Sequence, residues 1–188
     1  MVNMDKQMSV GLPDKLEVNY TGSGFEIARK WFGLSTIIMT VFVVFWDGFL
    51  LFWYSLAFGA AHGNLIMVLF PLMHVAIGIG LTYSTVASWL NSTRVKIDQG
   101  FVSVRNGPVP WFGNKDFLTG DLKQLYSKET ISQGRNSTSA TYEVHLITTS
   151  GKSEALVKGL ETSEQALFIE QEIERHLGIE DVPVRGQL

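Results

Sequence analysis

Two apolar runs, residues 31–60 and 64–90, dominate the first half of the chain, and each is long enough to cross a bilayer as a helix. Hydrocarbon offers a bare backbone no water to bond, so a run of this kind is stable there only as an α-helix. The predicted helices cover about residues 32–57 and 64–90. Only the neutral stretch 59–63 joins them, which predicts a tight antiparallel hairpin with both outer ends on one side of the membrane. The mostly polar residues 1–30 precede the first run, and that run is too long for a signal-peptide core, so the first helix is expected to stay in the mature protein.

Arg29 and Lys30 stand just before the first helix and Arg94 and Lys96 just after the second, whereas the intervening loop offers only His62 as an ionisable group. Positive charge gathers on the cytoplasmic side, so this asymmetry predicts a multi-pass protein of the inner (cytoplasmic) membrane with both termini cytoplasmic. With 188 residues, 46% hydrophobic and 18% charged, the chain has room for one membrane hairpin and one small water-soluble domain. Three segments follow: 1–30, a tail and juxtamembrane β-hairpin; 31–90, the helical hairpin; and 91–188, the soluble domain.

A net charge of -3 with scattered basic residues lacks the footprint of nucleic-acid binding. The absence of cysteine excludes disulfides, thiolate metal sites, iron–sulfur ligation and a cysteine nucleophile. The histidines show no metal-ligand spacing, no glycine-rich segment opens a phosphate loop, and no serine sits in a nucleophile arrangement. No enzyme, cofactor or metal is expected.

The soluble parts read as strands. Residues 15–20 and 25–29 alternate apolar and polar across a Thr-Gly-Ser-Gly turn, and 93–98 and 101–105 do so across Gln99-Gly100. Further strands are predicted at 121–128, 140–149 and 153–157, with a polar loop at 132–139; the first dozen residues read as disordered. A closing helix is marked by a capping box of Thr162 and Gln165, by Ala166, Ile169, Ile173 and Leu177 at helical spacing, and by a stop at Gly178. Glu170, Glu172 and Glu174 on that helix read as a solvated face, or as a docking surface for a basic partner.

The order of a membrane hairpin, then "TRVKIDQGFVSVRNGPVPWFG", "LTGDLKQLYSKE" and "GLETSEQALFIEQEIERHLGI" resembles bacterial pleckstrin-homology-like membrane proteins, in particular an uncharacterised group with two transmembrane helices ahead of the domain. The resemblance covers most of residues 13–185. It implies a membrane α-helical hairpin plus an α+β soluble domain: a PH-like, partly open antiparallel β-barrel or sandwich with a C-terminal capping helix. It implies no activity, and the basic first loop with which eukaryotic pleckstrin domains hold phosphoinositides is replaced here by Asp98-Gln99-Gly100.

Asp47 and His74, one in each apolar run, are the sharpest candidates, because an ionisable group at membrane depth is costly. Each lies about a dozen residues from the loop, which predicts matching depth. They are expected to hydrogen-bond to each other and fix the hairpin register, to form a proton or ion site, or to meet a partner protein. Gly33, Thr36, Thr40, Asp47 and Tyr54 form a small or polar stripe on the first helix. On the second, His74 shares a face with Pro71, Gly78 and Thr85, and Ala76, Gly80, Ser84 and Ala87 occupy the opposite face at small-xxx-small spacing. One helix thus has two packing surfaces, and the surplus one predicts a second copy of the chain or an unrelated membrane subunit. Trp111 and Phe112 are expected either to anchor in the headgroup region among membrane lipids or to cap the barrel core. The functional expectation is an inner-membrane adaptor or accessory subunit whose PH-like domain binds protein. The alternative is a small ion- or proton-coupled transport component using Asp47 and His74.

Overall fold

The computed structural model describes residues 11–21, 24–59, 65–98, 100–133, 138–182, 184 and 186–188. Residues 1–10, most of the predicted hairpin tip at 59–63, and 134–137 of the predicted polar loop lie outside the described residues. The chain divides into two units: Met1–Lys30, Thr93–Arg105 and Gly113–Leu188 form one, Trp31–Ser92 and Asn106–Phe112 the other. The N-terminal hairpin therefore belongs with the later strands rather than standing as a segment of its own, and a loop of the later domain groups with the helices.

In the first unit, strands β1 (Leu16–Thr21), β2 (Gly24–Lys30), β3 (Ser92–Asp98), β4 (Phe101–Gly107) and β5 (Lys115–Leu118) lie in that order in one sheet. Strands β6 (Leu122–Gln133), β7 (Thr138–Thr148) and β8 (Ser153–Leu160) make a second, antiparallel sheet. Alternation explains the core. On β3, Thr93, Val95 and Ile97 point inward between exposed Arg94 and Lys96; on β4, Val102 and Val104 do the same. They meet Phe25, Ile27, Leu125, Val144, Leu146 and Leu160 in one apolar cluster, each large side chain contributing about 2 kcal/mol by leaving water. Sequence reading missed β5, whose four residues show no apolar run, and stopped β6 and β8 short.

Helix α4 (Ser163–Leu177) packs Ala166, Phe168, Ile169 and Ile173 into the same cluster. Its caps are as predicted: Thr162 Oγ1 accepts from the Gln165 N–H at 3.3 Å, and Gly178 ends the helix at φ 65°, where the Ile179 N–H reaches back to Glu174 O at 3.0 Å.

The second unit holds α1 (Leu34–Gly59), α2 (Leu65–Leu69) and α3 (Leu72–Leu90). The predicted second helix is interrupted at Phe70-Pro71, because proline has no N–H to return to the carbonyl four residues back. That carbonyl, Met67 O, accepts instead from Trp53 Nε1 at 3.0 Å, and Val68 O accepts from the Tyr54 hydroxyl at 3.2 Å. Thr36, Val43, Leu50 and Ala57 recur every seven residues as the buried seam of α1, flanked by Thr40, Asp47 and Tyr54. Of the two faces expected on the second helix, Gly78 and Thr85 meet the seam from α3; a Cβ on Gly78 would stand only 3.0 Å from Asp47 Oδ1.

Both spans, Leu34–Gly59 and Leu65–Leu90, are long and apolar enough to cross a membrane. Only 17% and 11% of their most apolar windows are buried within the protein, the reverse of a soluble core helix. Side chains such as Phe45 and Leu51 are 75% exposed.

Candidate functional site

Asp47 sits at the edge of the α1 seam and is held from α3 by Thr82, whose Oγ1 donates to Oδ2 at 2.8 Å. The expected bond to His74 is not formed. Gly78 stands opposite Asp47, and His74 lies one turn earlier on α3. Thr82, one turn beyond Gly78, reaches Asp47 instead. His74 Nδ1 is buried with no hydrogen-bond partner; its ring lies 5.8 Å from those of Trp46 and Phe70, and its carbonyl accepts from Trp46 Nε1 at 3.2 Å. Thr82 was missed by sequence reading because a threonine in an apolar helix carries no mark of its own.

The Asp47–Thr82 pair is not sealed in the seam. Two open grooves, of about 720 and 460 Å³, are each lined by both residues. The first adds Tyr54 and Tyr83, the second Thr40, Thr85 and Trp89. On the outer face of α3, Ala76 and Gly80 are exposed, and a Cβ on Gly80 would meet nothing within 4 Å. Ser84 is half-buried, with Oγ donating to Leu81 O at 2.9 Å.

Ala87, expected on the same face as Ala76, Gly80 and Ser84, is fully buried. Tyr83 and Asn91, one turn to either side, explain this, because both bind the segment Asn106–Phe112. The Tyr83 hydroxyl donates to Pro110 O, Asn91 Nδ2 donates to Val109 O at 2.9 Å, and Asn91 Oδ1 accepts the Val109 N–H at 2.7 Å. This segment carries Trp111, whose ring lies 5.4 Å from Trp31, 5.9 Å from Tyr83 and 5.1 Å from Phe112. These contacts gather Trp111 and Phe112 into an aromatic cluster of the helical unit. Phe32 against Trp89 at 4.7 Å, and Trp89 Nε1 donating to Thr40 Oγ1 at 2.8 Å, extend the cluster; Phe112 is left 79% exposed.

The four flanking cations all have acidic neighbours in the first unit: Lys30 with Glu17 at 2.6 Å, Arg29 with Glu161 at 3.8 Å, Arg94 with Glu26 at 4.0 Å and Lys96 with Asp98 at 2.9 Å. The exposed pairs contribute below about 1 kcal/mol each, whereas the Arg29 side chain is only 11% exposed and also donates to Gly159 O at 2.8 Å.

The acidic face of α4 is corrected outright. Glu170, Glu172 and Glu174 are all buried, not solvated. Glu172 is neutralised by Arg175 Nη1 at 2.7 Å and accepts from the Tyr20 hydroxyl at 3.5 Å. Glu170 and Glu174 turn instead toward β6 and Asp181. Burial, with Glu170 and Asp181 adding repulsion against a lowering bond from the Leu125 N–H, pushes the Glu174 carboxyl up to about 7.

A folded-state pKa above the unfolded value means that the folded protein binds the extra proton. The contribution is therefore fully present below about pH 4.5 and is lost as pH rises through about 7. In chelator, the denaturation midpoint of the first unit should fall between pH 5.5 and pH 8, by roughly 2 kcal/mol in stability. Glu174→Gln should flatten that slope; a slope of the opposite sign would refute the assignment.

No protein-family model matches the chain, and no curated protein matches it in sequence.

Proposed function

We propose that this chain is an inner-membrane adaptor or accessory subunit, with both termini cytoplasmic, whose helical hairpin recruits a membrane partner and whose soluble unit offers a protein-binding face. The observation that carries this reading is Asp47. It lies in an apolar helix pair, has one hydrogen bond, and borders two grooves that open outward. A carboxylate left to lipid is costly, and a polar side chain from another helix would relieve that cost. The exposed Ala76 and Gly80 offer a surface on which a second backbone can approach closely. Two antiparallel sheets with a C-terminal helix fit the PH-like module that the sequence resembles.

Affinity purification from native membranes in mild detergent tests this reading. A stoichiometric membrane protein, whether a second copy or another subunit, should be recovered with the native chain. Recovery should drop about tenfold for Asp47→Leu and less for Asp47→Asn, which keeps polar capacity. Unchanged recovery with Asp47→Leu, or a chain that leaves the membrane without detergent, would overturn it.

The transport alternative draws on the buried, unpartnered His74 Nδ1. It predicts proton-coupled flux in liposomes that Asp47→Asn and His74→Gln each abolish, whereas the adaptor reading predicts none.

A further inference from the structure

Glu170 and Glu174, one turn apart on α4, and Asp181 beyond its end each place one carboxylate oxygen within 4.8 Å of the other two. Glu170 is 3% exposed and Glu174 4%, while Asp181 is exposed and leaves the group open on one side. None of the three forms an ion pair with a described residue. The bonds they receive are few and long: the Leu125 N–H to Glu174 Oε1 at 3.3 Å, and Gln187 Nε2 to Glu170 Oε1 at 3.3 Å. Glu170 Oε2 is buried with no partner at all.

A second observation comes from a different element. Ser127, on β6, is completely buried, and its hydroxyl also has no hydrogen-bond partner. It lies beside the Glu170 carboxyl, near enough for its hydroxyl and its N–H to pull that group's pKa down against burial. A buried hydroxyl beside a buried carboxylate ordinarily closes a full hydrogen bond to it, because leaving both unpaired costs about 1–3 kcal/mol for each group. Here Ser127 Oγ and Glu170 Oε2 stand close together, yet neither has a partner at full hydrogen-bond geometry.

Two arrangements could relieve such a group. A proton shared between Glu170 and Glu174 would satisfy those two alone. A cation would collect all of the oxygens, Asp181 and the serine included. We propose that Glu170, Glu174, Asp181 and Ser127 form a divalent-cation site, selective for calcium over magnesium.

The donor set is entirely oxygen, which suits a hard cation and not zinc. Calcium accepts about six to eight oxygens at about 2.3–2.6 Å in flexible geometry, and three carboxylates with a hydroxyl can supply much of that shell. Magnesium needs about 2.1 Å in a near-ideal octahedron and keeps several waters, so it is usually held by one or two carboxylates rather than by a protein donor set of this size. Bound calcium would fasten the residues after α4 to the second sheet, where the Leu188 N–H already reaches Ser127 O at 3.1 Å and Gln124 Nε2 bonds Val182 O.

The test uses the full chain in detergent micelles, stripped with chelator and titrated calorimetrically with calcium chloride and, separately, magnesium chloride. Hydrogen exchange of β6 and of the residues after α4 is followed in parallel. One saturable calcium site is expected, at least about tenfold weaker for magnesium, with slower exchange in both segments. Asp181→Asn and Glu174→Gln should each weaken calcium at least about tenfold, and Ser127→Ala by a smaller factor.

Glu174→Gln removes a buried charge, so in chelator it should melt no lower than the native protein. Should it nevertheless misfold, the exposed Asp181→Asn carries the comparison. Absence of heat and of any exchange change at millimolar calcium would overturn the proposal. So would calcium affinity unchanged in both variants, and magnesium binding as tightly as calcium would overturn the selectivity.

Discussion

Gly24→Ala should unfold the edge where β2 meets β3 and destabilise the first unit by about 3 kcal/mol. A Cβ at this position would lie 1.9 Å from Ile97 O, 3.0 Å from Ile97 C and 3.3 Å from the Asp98 Cα. All three are backbone atoms, so no side chain can swing aside to make room. The two strands must part instead, and Phe25 and Ile27, both 1% exposed, lose their seat in the apolar cluster. Hydrogen exchange separates this from general collapse: β2 and β3 should exchange rapidly in the variant while α1 and α3 keep their protection. Tryptophan emission adds a control, because all five tryptophans, Trp31, Trp46, Trp53, Trp89 and Trp111, belong to the helical unit. Unaltered protection of β2 and β3 in Gly24→Ala would show that the close approach is not rigid.

Asn91→Ala should release the segment Asn106–Phe112 and cost about 2–3 kcal/mol. Asn91 is 2% exposed and acts as a substitute strand: its amide both donates to and accepts from the backbone of Val109. Truncation leaves a backbone N–H and a carbonyl without partners in an apolar setting, which costs more than the bonds themselves contribute. With 5-fluorotryptophan incorporated, the resonances of Trp111 and Trp31 should move together, since the two rings are in edge contact, while that of Trp53 should stay. Asn91→Asp keeps the acceptor for the Val109 N–H and loses the donor, so its effect should fall between the native and alanine proteins. Equal stability of all three would remove the role assigned to Asn91.

Periodicity carried the elements whose burial is one-sided. Alternation on β3 and β4 and the capping box of α4 are local patterns, written in neighbouring residues, and the structure repeats them. Val43, Leu50 and Ala57 could not be singled out as the seam of α1, because an apolar residue facing a partner helix looks the same as one facing lipid; only the small and polar residues Gly33, Thr36, Thr40, Asp47 and Tyr54 were legible, and of these Gly33 and Thr36 are buried. Glu170 and Glu174 failed for the opposite reason. Charge on an amphipathic helix ordinarily marks the wet side, and nothing nearby in the chain announces that Asp181 and a strand residue, Ser127, will gather around them. Thr82 as the partner of Asp47 depended on helix–helix register, which no local pattern encodes.

Strands β2 and β3 are neighbours in one sheet, yet residues 31–91 separate them along the chain. During synthesis the first two strands must wait, unpaired on one side, until the whole helical hairpin has been made. Closing so long a flexible loop would carry an entropy cost that grows with its length. Here the insert draws its own ends together: the Trp31 N–H bonds Asn91 O at 3.1 Å, which closes the loop within the helical unit itself. A chain whose helices have yet to pair would be left with an open β-edge for proteases and chaperones to find.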